Sequence, residues 1–422
     1  MKYHYGLIAT SCLLLMACAP DREEEASVED PDNTESEGAE PDKPDQLHMW
    51  IHDNDEQANA IEDMASEYTE ATGIEVQLTR MNYDDQAENI ALDGPAGTGP
   101  DIYFKPHDYT GELAVQSLAE PLDLDEEQLE RFTPESLQAM TYEGELYGLP
   151  FVSETAALLY NVELVEEAPE TIEDLLLIAE ELTDAGNDEY GFLTVPIYYY
   201  SHSFITGYGG YIFGENESGY DVGDVGLAND GAIEGAERFQ SLFEDGLIPS
   251  SINPEIQDGL FAEGKIGVSH TGPWNINPYG EAIGEENLRS APLPVLENGE
   301  PASSLVGFKS WLLSPYSEHQ YWAQDLMLHL TSDEQNMSYY MATGEMPAVS
   351  TLLEAPEIAD DELMSGFAEQ IVNGEPMPNV PEIDPVFGAM GDAMLFLADG
   401  EDAEEIMTEA VEQIQQDIDT MN

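Results

Sequence analysis

The order of apolar and polar positions in the first part of the chain changes period several times. The run QLHMWIH at 46–52 is rich in apolar residues and predicts a strand, which the polar loop DNDE follows. Apolar residues between Ala60 and Tyr68 then recur at helical spacing, and Gly73 stands where a helix stop is expected. IEVQLTR and the stretch after GTGP predict two more strands. This alternation of strand and helix predicts an α/β domain with a largely parallel sheet.

The alternation resumes with ELYGLPFVSETAALLYN. TIEDLLLIAEELTDAG and AIEGAERFQSLFEDG predict helices, whereas GFLTVPI and ASSLVGFKSWLLSP predict strands. The C-terminal third is predicted to be mainly helical and ends in AEEIMTEAVEQIQQDI. Because 422 residues are too many for one core of ordinary size, we expect two domains plus appendages.

The net charge of this chain argues against several classes of binding partner. It has 10 Lys plus Arg against 89 Asp plus Glu, a formal net charge of -79. Phosphate binding needs basic patches, so this balance argues against nucleic acid as a partner. It also argues against electrostatic docking on anionic lipid.

The acidity extends through the whole body, since residues 47–422 hold 77 acidic and seven basic residues. Such a body repels itself strongly in dilute buffer. At about 1 M salt the Debye length falls to roughly 3 Å, which screens that repulsion. The composition therefore predicts a halophilic protein adapted to high salt. An ordinary acidic extracellular protein, or one from an alkaliphile, is the alternative.

The N-terminus, MKYHYGLIATSCLLLMACAP, combines Lys2 with an apolar stretch from Gly6 to Ala17. The stretch is too short to span a bilayer permanently, so residues 1–17 are predicted to be a secretory signal peptide. LMAC resembles a bacterial lipobox, which implies that cleavage leaves Cys18 as a lipid-modified first residue. Cys12 and Cys18 are the two cysteines of the sequence, so the mature body is predicted to have no disulfide.

Residues 18–45 are rich in acids and lack aromatic residues. This composition is typical of a disordered segment. As a flexible chain it would span roughly 30 Å. We therefore expect a lipid-anchored acidic linker that holds a globular body near a membrane.

Six segments of the body resemble one family. MWIHDNDE, GTGPDIYFKPHD, YEGELYGLPFVSETAALLYN, GGYIF with YDVGDVGLANDGA, FAEGKIGVSHTGPW and PMPNVPEIDPVFGAM follow one another in that family's order over nearly all of 46–422. The body resembles extracellular solute-binding proteins of ABC sugar importers, in the maltose/maltodextrin-binding branch. Each segment alone is a weak match, and the order makes the resemblance specific.

The resemblance implies a periplasmic-binding-protein-like α/β fold, with two discontinuous α/β lobes, a hinge and a central ligand cleft. The N-terminal lobe would comprise 46–153 and 306–354, and the C-terminal lobe 154–305 and 355–422. The implied function is to capture maltose or maltodextrin oligosaccharides and deliver them to ABC permease subunits. The same architecture binding a different, possibly acidic, oligosaccharide is the alternative.

Sugar recognition needs aromatic planes for the C–H faces of the rings and carboxylates or amides for the hydroxyls. In the second lobe, the resemblance implies stacking roles for Trp274, which follows a predicted strand, and for Tyr199 in IYYYSHS. Tyr198 and Tyr200 stay open as alternatives. Phe387 replaces a stacking tryptophan of the family. A core or surface position is the structural alternative for Trp274.

In the first lobe, Asn54 and Asp55 are placed in the loop after the first strand, and Asp108 follows the third strand. All three match hydroxyl-binding positions of the family, and Glu154 at the first crossover does so too. These assignments depend on position, because acidic residues are too common in this chain for their identity to be informative.

Lys105 departs from the family, which has a stacking tryptophan there. Its ammonium group could donate to ligand hydroxyls, could balance Asp108 and Asp55, or could form a structural salt bridge. A ligand-facing cation would favour a sugar that carries a carboxylate. Tyr109 likewise stands where the family often has arginine.

Other function classes find little support in the sequence. No G-x-S-x-G elbow, H-E-x-x-H motif or Walker A loop occurs. Glycosidases need two carboxylates at a defined separation, but 89 acids guarantee candidate pairs and so discriminate nothing. An adhesin would not need a cleft lined by aromatic and acidic residues. We predict no catalysis, no cofactor and no bound metal.

The predicted protein is a monomer at the extracellular face of the cell membrane, or in the periplasm where an outer membrane exists. The lipid anchor would be its one link to the membrane.

Overall fold

The computed structural model describes residues 41–216 and 219–421. The predicted signal peptide, Cys18 and residues 19–40 of the predicted linker lie outside the described residues. Within the described ranges, no helix is both long and apolar enough to cross a membrane.

The strands of the described residues are short, with five to nine residues in the central ones. In chain order they are β1 Gln46–Ile51, β2 Glu75–Arg80, β3 Ile102–Pro106, β4 Thr141–Tyr142, β5 Glu145–Leu146, β6 Gly148–Thr155, β7 Ala157–Asn161, β8 Tyr190–Leu193, β9 Gly214–Asn216, β10 Gly219–Asp221, β11 Ile266–Thr271, β12 Leu288–Ala291, β13 Leu305–Leu313, β14 Met346–Pro347 and β15 Glu375–Pro376.

The helices become dense toward the C-terminus, as the periodicity predicted. They are α1 Asp55–Thr72, α2 Tyr83–Asp93, α3 Thr110–Val115, α4 Glu126–Leu129, α5 Pro134–Ala139, α6 Ile172–Leu182, α7 Tyr198–Gly207, α8 Asp230–Glu244, α9 Pro254–Ala262, α10 Ile276–Ile283, α11 Gln320–Leu330, α12 Asp333–Thr343, α13 Ser350–Leu353, α14 Pro356–Ala359, α15 Ser365–Asn373, α16 Ile383–Ala398 and α17 Ala403–Met421. Single 3-10 turns cover His107–Tyr109, Pro273–Asn275 and Glu285–Asn287.

Two sheets organise the body. The first sheet has seven strands in the order β14-β6-β13-β3-β1-β2, with β15 added beside β13, and the second has four in the order β12-β7-β11-β8. The chain passes from the first sheet to the second between Thr155 and Ala157. It returns between Ala291 and Leu305, where β12 ends and β13 begins.

The prediction of a largely parallel sheet is wrong. β1 pairs in parallel with β2 and β3, but β13 runs antiparallel to both β3 and β6. In the second sheet, β11 is parallel to β8 and antiparallel to β7. The reason is the long connection that returns from the second sheet. The βα units at the start of the chain place β1, β2 and β3 in parallel, whereas β13 enters the first sheet from the second sheet and runs in the opposite direction.

Local sequence accounts for the first helix. Asn54 is its N-cap, with Oδ1 accepting from the backbone N–H groups of Glu56 and Gln57 at 3.0 and 3.1 Å. Gly73 ends it in the left-handed conformation at φ 79°, which a residue without Cβ adopts at little cost. Its buried stripe, at helical spacing, packs into the core of the first sheet.

Most of each sheet packs into a different apolar core, although the core of the second sheet also takes in Leu305 and Phe308 of β13. Trp311 of β13, Phe104 of β3 and Phe151 of β6 contact one another in the core of the first sheet. Leu158, Phe192 and other fully buried residues of the second sheet pack with α6, α7, α8, α16 and α17.

Candidate functional site

The carboxyl ends of β1 and β3 meet at one edge of the first sheet because these strands are parallel neighbours. Ligands of open α/β folds bind outside such strand ends. Asn54 stands just after β1, and Asp108 stands just after β3 in the 3-10 turn His107–Tyr109. Chain direction therefore brings these two predicted site residues to the same edge.

Asn54 and Asp55 make local contacts. The side-chain oxygen of Asn54 caps α1, and its amide nitrogen makes no hydrogen bond to the described residues. Asp55 is the first residue of α1, so the prediction that it lies in the preceding loop is wrong by one residue. Its carboxylate is 92% exposed and lies 2.8 Å from Nη1 of Arg80. The N-cap preference of Asn54 starts the helix earlier than its apolar pattern indicated.

Lys105 is enclosed. It lies on β3 with 1% of its surface exposed, and its backbone pairs with Ser310 of β13. Nζ donates to the backbone oxygen of Tyr83 at 2.8 Å and lies 3.4 Å from the ring centroid of Tyr109. Cation–π contact and a hydrogen bond thus compensate part of the cost of burying the ammonium group.

The charge of Lys105 reaches Asp108. Burial raises the pKa of Asp108, and the neighbouring His107 and Lys105 act against that rise. Oδ1 of Asp108 and Oγ1 of Thr110 are both buried, and neither has a hydrogen-bond partner among the described residues. A buried acceptor without a donor is costly, so a hydroxyl that enters here gains a full hydrogen bond.

His107 ties this edge to the C-terminal part of the chain. Its Nε2 contacts the oxygen of Met377 at 2.8 Å, and the backbone N–H of Phe308 donates to Nδ1 at 3.0 Å. A carbonyl can only accept, so the ring carries its proton on Nε2. Burial lowers the pKa of His107, so the ring is neutral near pH 7. The segment after β15 is thereby held against the first sheet.

Glu154 is the penultimate residue of β6, beside the passage to the second sheet. Its Oε2 lies 3.1 Å from Nζ of Lys309, a residue of the adjacent strand β13. Nζ of Lys309 also lies 2.5 Å from Oε1 of Glu345. The carboxylate of Glu154 is therefore held by a cation on one side.

The second-sheet side of the candidate site is aromatic. Helix α7 begins at Tyr198, which is fully buried, while Tyr199 and Tyr200 are partly buried. Ring centroids are 5.7 Å apart for Tyr198 and Phe387 and 5.4 Å apart for Tyr199 and Tyr200. Burial raises the pKa of Tyr199 well above its usual value, and the nearby Glu154 carboxylate adds to the shift. Tyr199 and Glu154 are thus close although they flank different sheets.

Trp274 lies in the 3-10 turn that follows β11. It is 49% exposed, which excludes the alternative of a core tryptophan. Gly272 lies directly beneath it, since a Cβ on that glycine would come within 2.1 Å of the ring. Asn275 anchors the turn, with Nδ2 donating to Thr271 Oγ1 at 2.8 Å and to Asp258 Oδ1 at 2.9 Å. An exposed indole on an anchored turn is suited to stacking on a ligand.

The contacts connect some predicted residues and not others. The charge of Lys105 lowers the pKa of Asp108, and the charge of Glu154 raises the pKa of Tyr199. Phe387 joins the group through the ring of Tyr198. Among the described residues, Asn54 and Trp274 contact residues near them in the chain, and Asp55 pairs with Arg80 of β2.

Sequence reasoning missed Lys309, Glu345 and Tyr83. Tyr83 stacks on His52 with centroids 3.9 Å apart, and its hydroxyl is buried without a partner among the described residues. Burial raises the pKa of Tyr83, and the charge of Lys309 opposes the rise. A signal for Lys309 existed, because the scarcity of basic residues that drew attention to Lys105 applies equally to it.

Comparison with known proteins gives the family. The profile of a family described as bacterial extracellular solute-binding protein matches residues 63–366. The chain belongs to this family. The resemblance seen in the sequence is therefore confirmed at the level of the family.

Relatives agree with this placement. The galactooligosaccharide-binding protein of Bacillus subtilis (strain 168) is 33% identical over 417 residues, covering 97% of this chain and 95% of the relative. A maltooligosaccharide ABC transporter solute-binding lipoprotein of Streptococcus pneumoniae (strain ATCC BAA-255 / R6) is 27% identical over 422 residues, covering 98% of this chain and 96% of the relative.

Among solved structures, a cyclo/maltodextrin-binding protein complexed with maltotetraose matches with a TM-score of 0.87 and 34% identity. The match covers 91% of this chain and 100% of that one. The predicted periplasmic-binding-protein-like α/β fold, with two lobes around a ligand cleft, is confirmed by this likeness.

Proposed function

We propose that this protein captures maltose- and maltodextrin-type oligosaccharides outside the cell and presents them to the permease of an ABC importer. The observation that carries the proposal is the likeness, at TM-score 0.87, to a protein complexed with maltotetraose. The work is capture and delivery without bond chemistry, as in the solute-binding family. The lobe boundaries predicted from the sequence belong to this proposal.

The chemistry of the candidate site supports a sugar. Hydroxyl partners stand beside the first sheet at Asn54, Asp55, Asp108 and Glu154, and stacking surfaces stand beside the second. Those surfaces are Tyr199, Trp274 and Phe387. Closing the lobes by a hinge motion would bring the two sets onto opposite faces of a pyranose ring.

A neutral ligand fits the surroundings of Lys105. The residue has 1% of its surface exposed, and its ammonium group donates to the Tyr83 carbonyl and lies against the Tyr109 ring. These contacts favour a structural role over a ligand-binding role. An acidic sugar was the alternative because Lys105 could offer a positive charge to the ligand. The enclosure of Lys105 weakens that argument.

A galacto-oligosaccharide is the second candidate, because the B. subtilis relative that matches 97% of this chain is named for binding one. Both cargoes are neutral and use the same kinds of contact. The difference lies in linkage and hydroxyl orientation, which stacking surfaces tolerate and carboxylate partners discriminate.

The test is a calorimetric titration of the purified protein in molar salt with three injectants: maltotriose, a galacto-oligosaccharide and glucuronate oligomers. We expect maltotriose to bind in the micromolar range or tighter. Binding of the galacto-oligosaccharide alone would transfer the proposal to the second candidate. Binding of the glucuronate oligomers alone would make Lys105 the residue that changed the cargo.

We also propose that Cys18 carries a lipid. The LMAC segment and the S. pneumoniae relative described as a lipoprotein support this step. In cells fed a labelled fatty acid, the protein should take up label and Cys18→Ala should not. Label retained by Cys18→Ala would contradict the anchor.

Salt adaptation is a further part of the proposal, supported by the 77 acids and seven bases of residues 47–422. The unfolding midpoint should rise between low and molar potassium chloride because screening reduces the self-repulsion of the native body. An unchanged midpoint would contradict it and favour an ordinary acidic extracellular protein.

A further inference from the structure

A line of four polar side chains crosses the first sheet toward the candidate site. Oη of Tyr339 donates to Oε2 of Glu345 at 2.6 Å, and Nζ of Lys309 donates to Oε1 of the same carboxylate at 2.5 Å. Nζ of Lys309 also lies 3.1 Å from Oε2 of Glu154. The line therefore begins at α12 and ends at the site residue Glu154.

Lys309 can occupy this position because both carboxylates compensate its charge. Its side chain is 13% exposed. Burial is the largest influence and lowers the pKa of Lys309, but Glu154 and Glu345 together more than reverse it, so the pKa is raised and the residue is cationic. A charge in such a place is retained in folded proteins when it is paired and hydrogen-bonded.

Gly307 gives Glu154 the room to reach the lysine. The two residues face each other across β6 and β13, and a Cβ on Gly307 would lie 3.1 Å from Cγ of Glu154. Residues two apart on a strand share a face, so Gly307 and Lys309 are on the same side of β13. The carboxylate of Glu154 thus lies over the glycine and against the ammonium group.

The two oxygens of Glu154 have different surroundings. Oε2 is held by Lys309, whereas Oε1 makes no hydrogen bond within the described residues. Burial is the largest cause of the raised pKa of Tyr199, a predicted stacking residue, and the charge of the Glu154 carboxylate is the next largest. One oxygen is therefore fixed and the other can accept from a ligand.

We propose that Lys309 is a positioning residue for ligand binding, which holds Oε2 of Glu154 so that Oε1 accepts a hydroxyl of the bound sugar. The inference rests on the proposed function. Glu345 and Tyr339 hold Lys309 in turn. The arrangement uses one of the seven basic residues of 47–422 to fix a carboxylate in advance, so less side-chain entropy is lost on binding.

The first experiment compares Lys309→Met with Lys265→Met by calorimetry with maltotriose. Lys265 is the matched control, because it also pairs with a glutamate, Glu263 at 2.8 Å, but its side chain is more exposed than that of Lys309 and lies beside the second sheet. Both variants lose one positive charge. We expect Lys309→Met to weaken binding on the order of tenfold or more, and Lys265→Met to bind as the wild type does. Equal effects would mean that net charge, and not positioning, is responsible.

A cycle with Glu154→Gln separates positioning from a general structural role. If Lys309 acts through Glu154, Lys309→Met should have little further effect on affinity in the Glu154→Gln background. Lys309→Arg, which keeps the charge but changes the geometry, should bind between wild type and Lys309→Met. Independent, multiplicative losses of affinity in the double variant would overturn the proposal.

If Lys309→Met does not fold, Lys309→Gln takes its place, since a neutral amide still donates to the carboxylates. A smaller loss of affinity, still masked by Glu154→Gln, is expected because the amide carries no charge, and unchanged affinity would overturn the proposal. The cycle also keeps two failures apart. A wild type that binds neither maltotriose nor a galacto-oligosaccharide refutes the proposed function, whereas a binding wild type with no coupling refutes the role of Lys309 alone.

Discussion

The two sheets differ in the cations that are buried beside them. Beside the first sheet the chain encloses charges: Lys105 against a carbonyl and a ring, and Lys309 between two carboxylates. Beside the second sheet it encloses neutral groups, such as His270, whose pKa burial lowers to about 3. Both of these enclosed lysines lie on strands of the first sheet, Lys105 on β3 and Lys309 on β13.

That difference matches the two kinds of contact a sugar needs. Carboxylates that accept hydroxyl protons must be held in place and kept ionised, which nearby cations accomplish. Aromatic faces need only rigid support and exposure, as at Trp274. The comparison yields three predictions.

The largest predicted effect is a loss of stability at acidic pH, caused by His270 in the second sheet. Because the folded state keeps His270 neutral down to about pH 3, protonation below the unfolded pKa of about 6.5 stabilises the unfolded chain. The free energy of unfolding therefore decreases as the pH falls, and His270 accounts for a loss of about 2 kcal/mol between pH 7 and pH 5. His270→Asn should lose correspondingly less stability than wild type between pH 7 and pH 5 in denaturant titrations.

The comparison of variants cancels the effect of protonating surface carboxylates, which changes the self-repulsion of every variant alike. Identical pH slopes for wild type and His270→Asn would show that the second sheet tolerates a buried charge.

The next effect is on binding. Trp274→Ala should weaken maltotriose binding by about 2 kcal/mol, or some thirtyfold, because a stacking surface is lost. The unfolding midpoint should hardly change, since the indole is 49% exposed in the free protein. Calorimetry and a thermal melt on the same sample measure both.

Tyr321→Ala is the matched control, as this aromatic residue is 45% exposed on α11. It should leave affinity unchanged. A Trp274→Ala variant that binds normally would remove this residue from the proposed site while leaving the fold intact.

The smallest effect distinguishes the two buried lysines. Lys105→Met should destabilise the protein by about 1–2 kcal/mol through the loss of its hydrogen bond and cation–π contact. It should weaken maltotriose binding only a few-fold, by way of Asp108, so the larger loss of affinity belongs to Lys309→Met. Denaturant unfolding and calorimetry would measure the two quantities. Lys105→Met binding as poorly as Lys309→Met would place Lys105 among the ligand contacts.

Several elements could be predicted because their signals are local. The apolar spacing predicted α1, α6, α8 and α17, and the resemblance placed Glu154 at a crossover and Trp274 after a strand. Trp274 in particular could be placed after its strand from GKIGVSHTGPW alone. Local signals of this kind survive because each depends on residues within a few turns of one another.

Other features depend on residues far apart in the chain. The antiparallel direction of β13 depends on a return from the second sheet, and its partner β6 lies about 150 residues earlier. Lys309, Glu154 and Glu345 come from three distant segments, so no spacing could reveal their contact. The hydrogen-bond partner of Lys105 was equally hidden, because Tyr83 approaches it only when α2 packs beside β3.

The sequence by itself determined the family, the α/β class, the acidity and the residue types offered to a sugar, because these follow from composition and from motifs in a conserved order along the chain. The tertiary structure decided which of the scarce cations are enclosed and which carboxylates they hold. Burial and distance set those energies, and both arise only when strands from different parts of the chain lie side by side.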